Sequence, residues 1–245
     1  MARRTHASIS PTDVSACPNV TGALYLVASA IGFVGLIYVP DTLIVRSDAA
    51  ATASNIIVHE WLFRWGIVSY AFVGALWLFV PLALYRLLSG VDKDLAALMV
   101  ILGGLMQSPI YVINAATSAV ALLLVRGGAE FQAAFDKPQR DALAMVFLRL
   151  HDRIDTVVLV FAGLWLLPFG LLVYRSRFLP RILGIWLMVA CFAWLAVAFV
   201  GLLTPEYQGK VFSATQPLAW GEIATMLWLI IMGAKGGAPL HSGMM

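Results

Sequence analysis

The chain has 245 residues, of which 61% are hydrophobic and 12% charged, with a formal net charge of +3 and a mean hydropathy of +0.89. A soluble domain carries about a quarter charged residues, so this composition excludes a water-soluble globule, and the few, dispersed basic residues exclude nucleic acid as a partner. Cys17 in a polar tail and Cys191 in an apolar run make neither a disulfide framework nor a metal-binding spacing.

At the amino terminus Val14 to Cys17 resemble a lipoprotein cleavage box, but no apolar segment precedes them. Arg3 and Arg4 lack the flanks of a twin-arginine signal. Asn19, Val20 and Thr21 form a glycosylation sequon that abuts the first apolar run on the expected cytoplasmic side. None of the three is taken as a signal.

Six nearly charge-free stretches follow, each of about twenty residues or more, the length that spans about 30 Å of hydrocarbon. In chain order they run Thr21 to Val39, Trp65 to Leu84, Leu95 to Val125, Thr156 to Tyr174, Ile182 to Thr204 and Val211 to Ala234. Each must be helical, because lipid offers no partner for backbone amides. The expected fold is all-α: a polytopic integral membrane protein built as a six-transmembrane-helix bundle over residues 21–235, with polar tails at 1–20 and 236–245. Pro138 marks a helix start, and helical spacing from there through Arg153 into the fourth span predicts one helix of about 37 residues and about 55 Å. Its start overhangs the membrane on the non-cytoplasmic side.

Lysine and arginine in the connecting segments divide eight to eight between the two sides. The tight turn holding Arg175, Arg177 and Arg181 has no acidic residue, whereas the basic residues opposite are interleaved with carboxylates or lie within helices. That contrast puts both termini on the cytoplasmic side of a bacterial inner membrane.

Ionisable and amide side chains within the spans mark candidate sites, since each is costly in lipid. His151, Asp152 and Asp155 share one helical arc, placing Asp155 to meet His151 at i,i+4 and Asp152 at i,i+3. The set reads either as a functional group or as a solvated charged turn above the membrane. Glu60 and Arg64 are an i,i+4 pair at the same boundary, suited to an interfacial ion pair. Glu222 stands about ten residues into the sixth span with no basic residue on its own helix, so it is either neutral or meets a cation such as Arg64 or Arg153. Gln107, Tyr111, Asn114 and Ser118 repeat at four, three and four residues and form a polar seam that should face inward, as helix-packing glue or as a ligand surface. Pro109 interrupts that helix and frees a carbonyl for the seam or a water to satisfy. The expected pocket gathers Arg64, Gln107, Asn114, His151, Asp152, Asp155 and Glu222 in the outer half of the bundle. Small residues at Ala28, Gly32 and Gly35, and at Gly66 and Gly74 around Tyr70, suit close packing; Trp61, Trp65 and Trp220 suit interface anchors. Histidine spacing gives no heme or metal site, and no cofactor is expected.

Several segments together resemble a bacterial multi-pass membrane family known as domain of unknown function 4386. They are Thr21 to Leu26, Ala53 to Ile56, Leu62 to Gly66, Leu88 to Lys93, Leu102 to Gln107, Leu150 with His151, Gly163 to Pro168, Phe178 to Gly184, and Gly221 with Glu222. The resemblance spans nearly the whole chain outside the tails and implies a compact helical membrane domain with no attached activity. It places Arg64, His151, Arg181 and Glu222 within matching motifs.

Three functional readings remain open. The leading one is a small-molecule or proton-handling pocket in a transporter-like or ligand-binding membrane protein, although no internal repeat accompanies Pro109. The second is an intramembrane acid–base enzyme acting on a lipid or isoprenoid, with Glu222 or Asp155 as acid and His151 as base. The third is an accessory subunit of a larger membrane complex. The expected partners are the lipid bilayer and, according to the reading, a small molecule or lipid ligand or a membrane-complex neighbour.

Overall fold

The computed structural model describes residues 18–176 and 179–236. Arg3, Arg4, Arg177, His6, His241, the box ending at Cys17 and most of both tails lie outside the described residues. Every regular element among the described residues is helical: α1 (Pro18–Leu43), α2 (Ala49–Val58), α3 (Glu60–Leu88), α4 (Lys93–Arg126), α5 (Ala129–Ala134), α6 (Lys137–Arg175), α7 (Arg181–Leu203) and α8 (Pro205–Gly236). Five of these, α1, α3, α4, α6 and α7, are long and apolar enough to cross a membrane. The sixth long helix, α8, has 32 residues and carries Gln216, Pro217 and Glu222 in its middle; it is not among those five.

Neighbouring long helices pack side by side and close on themselves: α1 against α3, α3 against α4, α4 against α6, α6 against α7, α7 against α8, and α8 back against α1. Short connections make successive members antiparallel. The short helices α2 and α5, which the sequence reading does not anticipate, both sit at one end of the bundle. There Ile56, Leu124 and Ala144 share an apolar cluster against which Phe131 packs.

Capping chemistry sets the helix starts. Asp136 accepts the Gln139 amide at 2.8 Å, and the Gln139 side chain accepts the Asp136 amide at 3.0 Å, a capping box beside Pro138. The resulting α6 runs for 39 residues, with a break at Trp165 between Lys137–Leu164 and Leu166–Arg175, ahead of Pro168; at about 58 Å along its path it outreaches the hydrocarbon slab. Asp48 and Asp92 cap α2 and α4 by accepting the Ala51 and Leu95 amides, without the reciprocal bond. Asp92 also receives Arg175 at 2.9 Å, which ties the start of α4 to the end of α6.

Two wide helical turns, at Val34–Tyr38 in α1 and Ile101–Leu105 in α4, lie just before Pro40 and Pro109. Proline lacks an amide hydrogen and its ring crowds the carbonyl four residues back, so a widened turn upstream relieves the helix. In α4 the disturbance precedes Pro109, and the Gln107 side-chain amide donates to the Leu102 carbonyl inside the wide turn at 3.2 Å.

The main core is aromatic. Trp165 stacks on Phe169 with centroids 5.4 Å apart and meets Tyr25 and Trp77 edge-on, with Leu84, Leu187 and Leu229 around them. Small residues bring backbones into contact around it. Ser108 Oγ donates to the Gly74 carbonyl at 2.5 Å, and Gly170 and Gly184 face each other so closely that a Cβ on Gly184 would lie 2.6 Å from the Gly170 oxygen. Gly184→Ala is therefore predicted to lower the melting temperature in detergent, at a cost of about 1–3 kcal/mol. Gly90→Ala, whose new methyl would meet nothing within 4 Å, leaves it unchanged.

Candidate functional site

The polar seam on α4 faces the bundle interior. Gln107 and Asn114 are fully buried, and Tyr111 and Ser118 nearly so. Opposite Asn114, α6 presents His151 and Asp155, and α3 presents Tyr70. One Asp155 carboxylate oxygen accepts the Asn114 amide at 2.8 Å. The other accepts the Tyr70 hydroxyl in a short hydrogen bond and faces His151 Nε2 at 3.6 Å. The same Asn114 amide nitrogen lies 3.2 Å from the His151 carbonyl, so one side chain fixes both residues of the α6 pair.

His151 is 4% exposed, whereas the Asp155 and Asp152 side chains keep 30% and 38% of their surface exposed, so the solvated-turn reading fails for the imidazole and holds in part for the two carboxylates. His151 Nδ1 lies 3.1 Å from the Asn114 carbonyl, an acceptor with no proton to give, so the network places a proton on Nδ1. Thr117 and Ser118 hydroxyls flank the same nitrogen at 3.2 and 3.1 Å. Nε2 faces the Asp155 carboxylate at 3.6 Å, beyond direct hydrogen-bond distance. The Tyr70 ring packs edge-on against the imidazole at 4.6 Å, holding its plane.

A cavity of about 20 Å³ adjoins the imidazole, with His151, Ser118 and Tyr70 as its polar members and Pro40, Phe63 and Ile67 among its apolar walls. This volume is about that of one water molecule, and its walls are almost wholly apolar. Gly35 and Gly66 permit the close approach of α1 and α3 behind it: a Cβ on Gly35 would lie 3.4 Å from the Gly66 oxygen.

The remaining expected members stand elsewhere, and the single pocket is corrected to two half-buried carboxylate clusters and a rim. Arg64 does not reach Asp155 or Glu222. Glu60, one turn before it on α3, takes its guanidinium at 2.7 Å and also holds Arg126 of α4 at 3.4 Å. Asp152 turns outward toward Arg46 at 3.9 Å rather than toward Asp155. Arg153 donates to the Gly201 carbonyl at 3.1 Å, not to Glu222.

Glu222 points inward but lies deeper. Because α8 closes the ring between α7 and α1, its carboxylate meets those two helices: Tyr25 donates at 2.5 Å and Trp194 Nε1 at 2.9 Å. Tyr25 packs on Trp77, which is seven residues, about 10 Å, along α3 from Tyr70. Gln107 is likewise seven residues from Asn114. Tyr111 lies between the clusters, 6.2 Å from Tyr70 by ring centroid and within electrostatic range of both Asp155 and Glu222. Gln107 Oε1 and Trp77 Nε1 are buried without hydrogen-bond partners.

Tyr25, Tyr70, Trp77 and Trp194 are members that the sequence reading did not assign to the site. Their signal was present: a Tyr hydroxyl or Trp amine deep in a span needs a polar partner. Among the described residues no group of three or more His, Cys, Asp or Glu side chains is placed to hold a metal ion.

A ring of long helices, five of them apolar enough to cross a membrane, with Gln107, Asn114 and His151 buried inside it, defines a multi-pass helical membrane protein. The family model "Domain of unknown function (DUF4386)" matches residues 20–233, and the chain belongs to that family. No curated protein and no solved structure matches it.

If Asn114 supports Asp155 as the distances indicate, the pair is coupled. A double-mutant cycle on Asn114→Ala and Asp155→Ala, read from unfolding in mixed micelles, is predicted to give a coupling energy of about 1 kcal/mol. Additive losses would contradict the contact.

Proposed function

We propose that the chain crosses a bacterial inner membrane six times with both termini cytoplasmic, and that His151 and Asp155 form a proton-handling pair in the outer half of the bundle. The sixth crossing is supported by the place of α8 as a full member of the ring, antiparallel to both neighbours. The orientation is supported by the arginine-rich α6–α7 turn that Arg175 and Arg181 flank.

The observation that carries the proton reading is a half-buried carboxylate facing a buried imidazole at 3.6 Å beside a cavity of about 20 Å³. In hydrocarbon an isolated Asp155 carboxylate is expensive, and a proton on His151 Nε2 neutralises the pair without leaving the site. Transfer from Nε2 to the carboxylate yields neutral imidazole and carboxylic acid, again with no net charge. The two states differ by the position of one proton, which suits a group that loads and releases protons. The cavity beside the imidazole is too small for an isoprenoid or an acyl chain, which favours the proton reading over an enzyme acting on such substrates at this pair.

The test is proton flux into proteoliposomes carrying a trapped pH indicator under an imposed potassium diffusion potential. The native chain is expected to move protons faster than protein-free vesicles, and Asp155→Asn and His151→Phe to lower the rate by on the order of 10²-fold, the scale of a lost proton-transfer group. Equal flux in the native chain, both variants and empty vesicles would overturn the reading.

A further inference from the structure

A second concavity lies on the lipid-facing side of α3 and α4, at the end that carries α2 and α5, and Ile67 separates it from the His151 cavity. It is a groove of about 600 Å³, large enough for a substantial part of an amphiphile. Its floor is apolar, formed by Val68 on α3 and by Ala119, Leu122 and Leu123 on α4, with Phe131 of α5 at the upper edge. Two arginines, Arg64 and Arg126, stand at the top. A third lies against the rim: the Arg140 guanidinium packs over Gly127, where a Cβ would lie 3.0 Å from its Nε. The backbone permits that approach because Gly127 adopts φ +63°, which a side chain there would strain.

Charge sets the occupant. Glu60 is shared by Arg64 and Arg126, with the same carboxylate oxygen taking both. Among the described side chains one negative charge thus faces two positive ones, and both guanidinium side chains remain about half exposed. Guanidinium groups bind phosphate oxygens through paired, directed hydrogen bonds. An apolar trough running about two helical turns below such a pair, at the level where a long helix leaves the hydrocarbon, matches the geometry of a phospholipid: phosphate above, acyl chain below.

We propose that this groove binds an anionic phospholipid, with its phosphate on Arg64 and Arg126 and an acyl chain along Val68, Leu122 and Leu123. Glu60 then acts as the internal competitor for the two arginines and limits the affinity. The proposal does not depend on proton transfer at His151 and Asp155.

The experiment is native mass spectrometry of the full chain released from micelles supplemented with phosphatidylglycerol or with phosphatidylcholine of the same acyl composition. Bound phosphatidylglycerol is expected to exceed phosphatidylcholine by on the order of tenfold, the scale of two arginine contacts at a membrane surface. Arg64→Gln with Arg126→Gln should bring the two lipids level. Glu60→Gln, which removes the competitor, should raise phosphatidylglycerol retention, a gain that a misfolded protein cannot imitate. Inorganic phosphate at the same concentration should leave the lipid in place. Equal retention of the two lipids by the native chain, a preference that survives the double substitution, no gain in Glu60→Gln, or displacement by inorganic phosphate would each overturn the proposal.

Discussion

A carboxylate inside a hydrocarbon slab has no water to solvate it, and the cost of a charged side chain there is at least about 2.5–3.5 kcal/mol at mid-membrane. The arrangement of this bundle follows from meeting that cost twice. Asp155 draws a phenol from α3, an amide from α4 and an imidazole from its own helix. Glu222 draws a phenol from α1 and an indole from α7. Both donors to Glu222 come from the helices that flank α8 in the ring, whereas Asp155 takes one donor from the flanking α4 and one from α3, the next helix along, so the polar contacts tie helices together while apolar packing supplies contact area. Single interhelical hydrogen bonds contribute modestly, about 0.6 kcal/mol on average. Several converging on one acid are therefore needed to hold it.

Close backbone approach is the second condition, because short donors such as Ser, Thr and Asn reach across only where helices touch. Ser108 can donate to the Gly74 carbonyl since no side chain stands between α3 and α4 at that level. Gly35 and Gly66 bring α1 and α3 together just outside the His151 cavity and help keep it small. The glycines thus set the helix spacing within which the polar groups meet, and that spacing fixes the size of what enters the site.

Much of the arrangement within a single helix was legible from spacing. The four-three-four repeat of Gln107, Tyr111, Asn114 and Ser118 implied a buried seam, and all four are buried. The i,i+4 relation of His151 and Asp155 and that of Glu60 and Arg64 implied pairs that the side chains make. Pro138 implied the long overhanging helix, realised through the Asp136 cap. Contacts between helices were not legible in the same way. Tyr25 and Glu222 are 197 residues apart, and nothing in either segment says that α8 returns to α1. Without the ring order, Arg64 looked like a partner for Glu222. With it, Glu60 is nearer and Glu222 faces other helices. Proline spacing misled in a smaller way, since the irregular turn in α4 precedes Pro109 instead of sitting at it.

Tyr111, on the α4 seam, lies 6.2 Å from Tyr70 of the Asp155 cluster by ring centroid. What unites the account is that Asp155 is enclosed by α3, α4 and α6 and kept by their donors. Side-chain density around Asp155 in a structure of the chain in a lipid nanodisc tests this most directly. The account predicts its carboxylate within hydrogen-bond distance of the Asn114 amide and the Tyr70 hydroxyl, with His151 alongside. An Asp155 side chain turned to the acyl chains or to bulk water, with Asn114 bonded elsewhere, would contradict it.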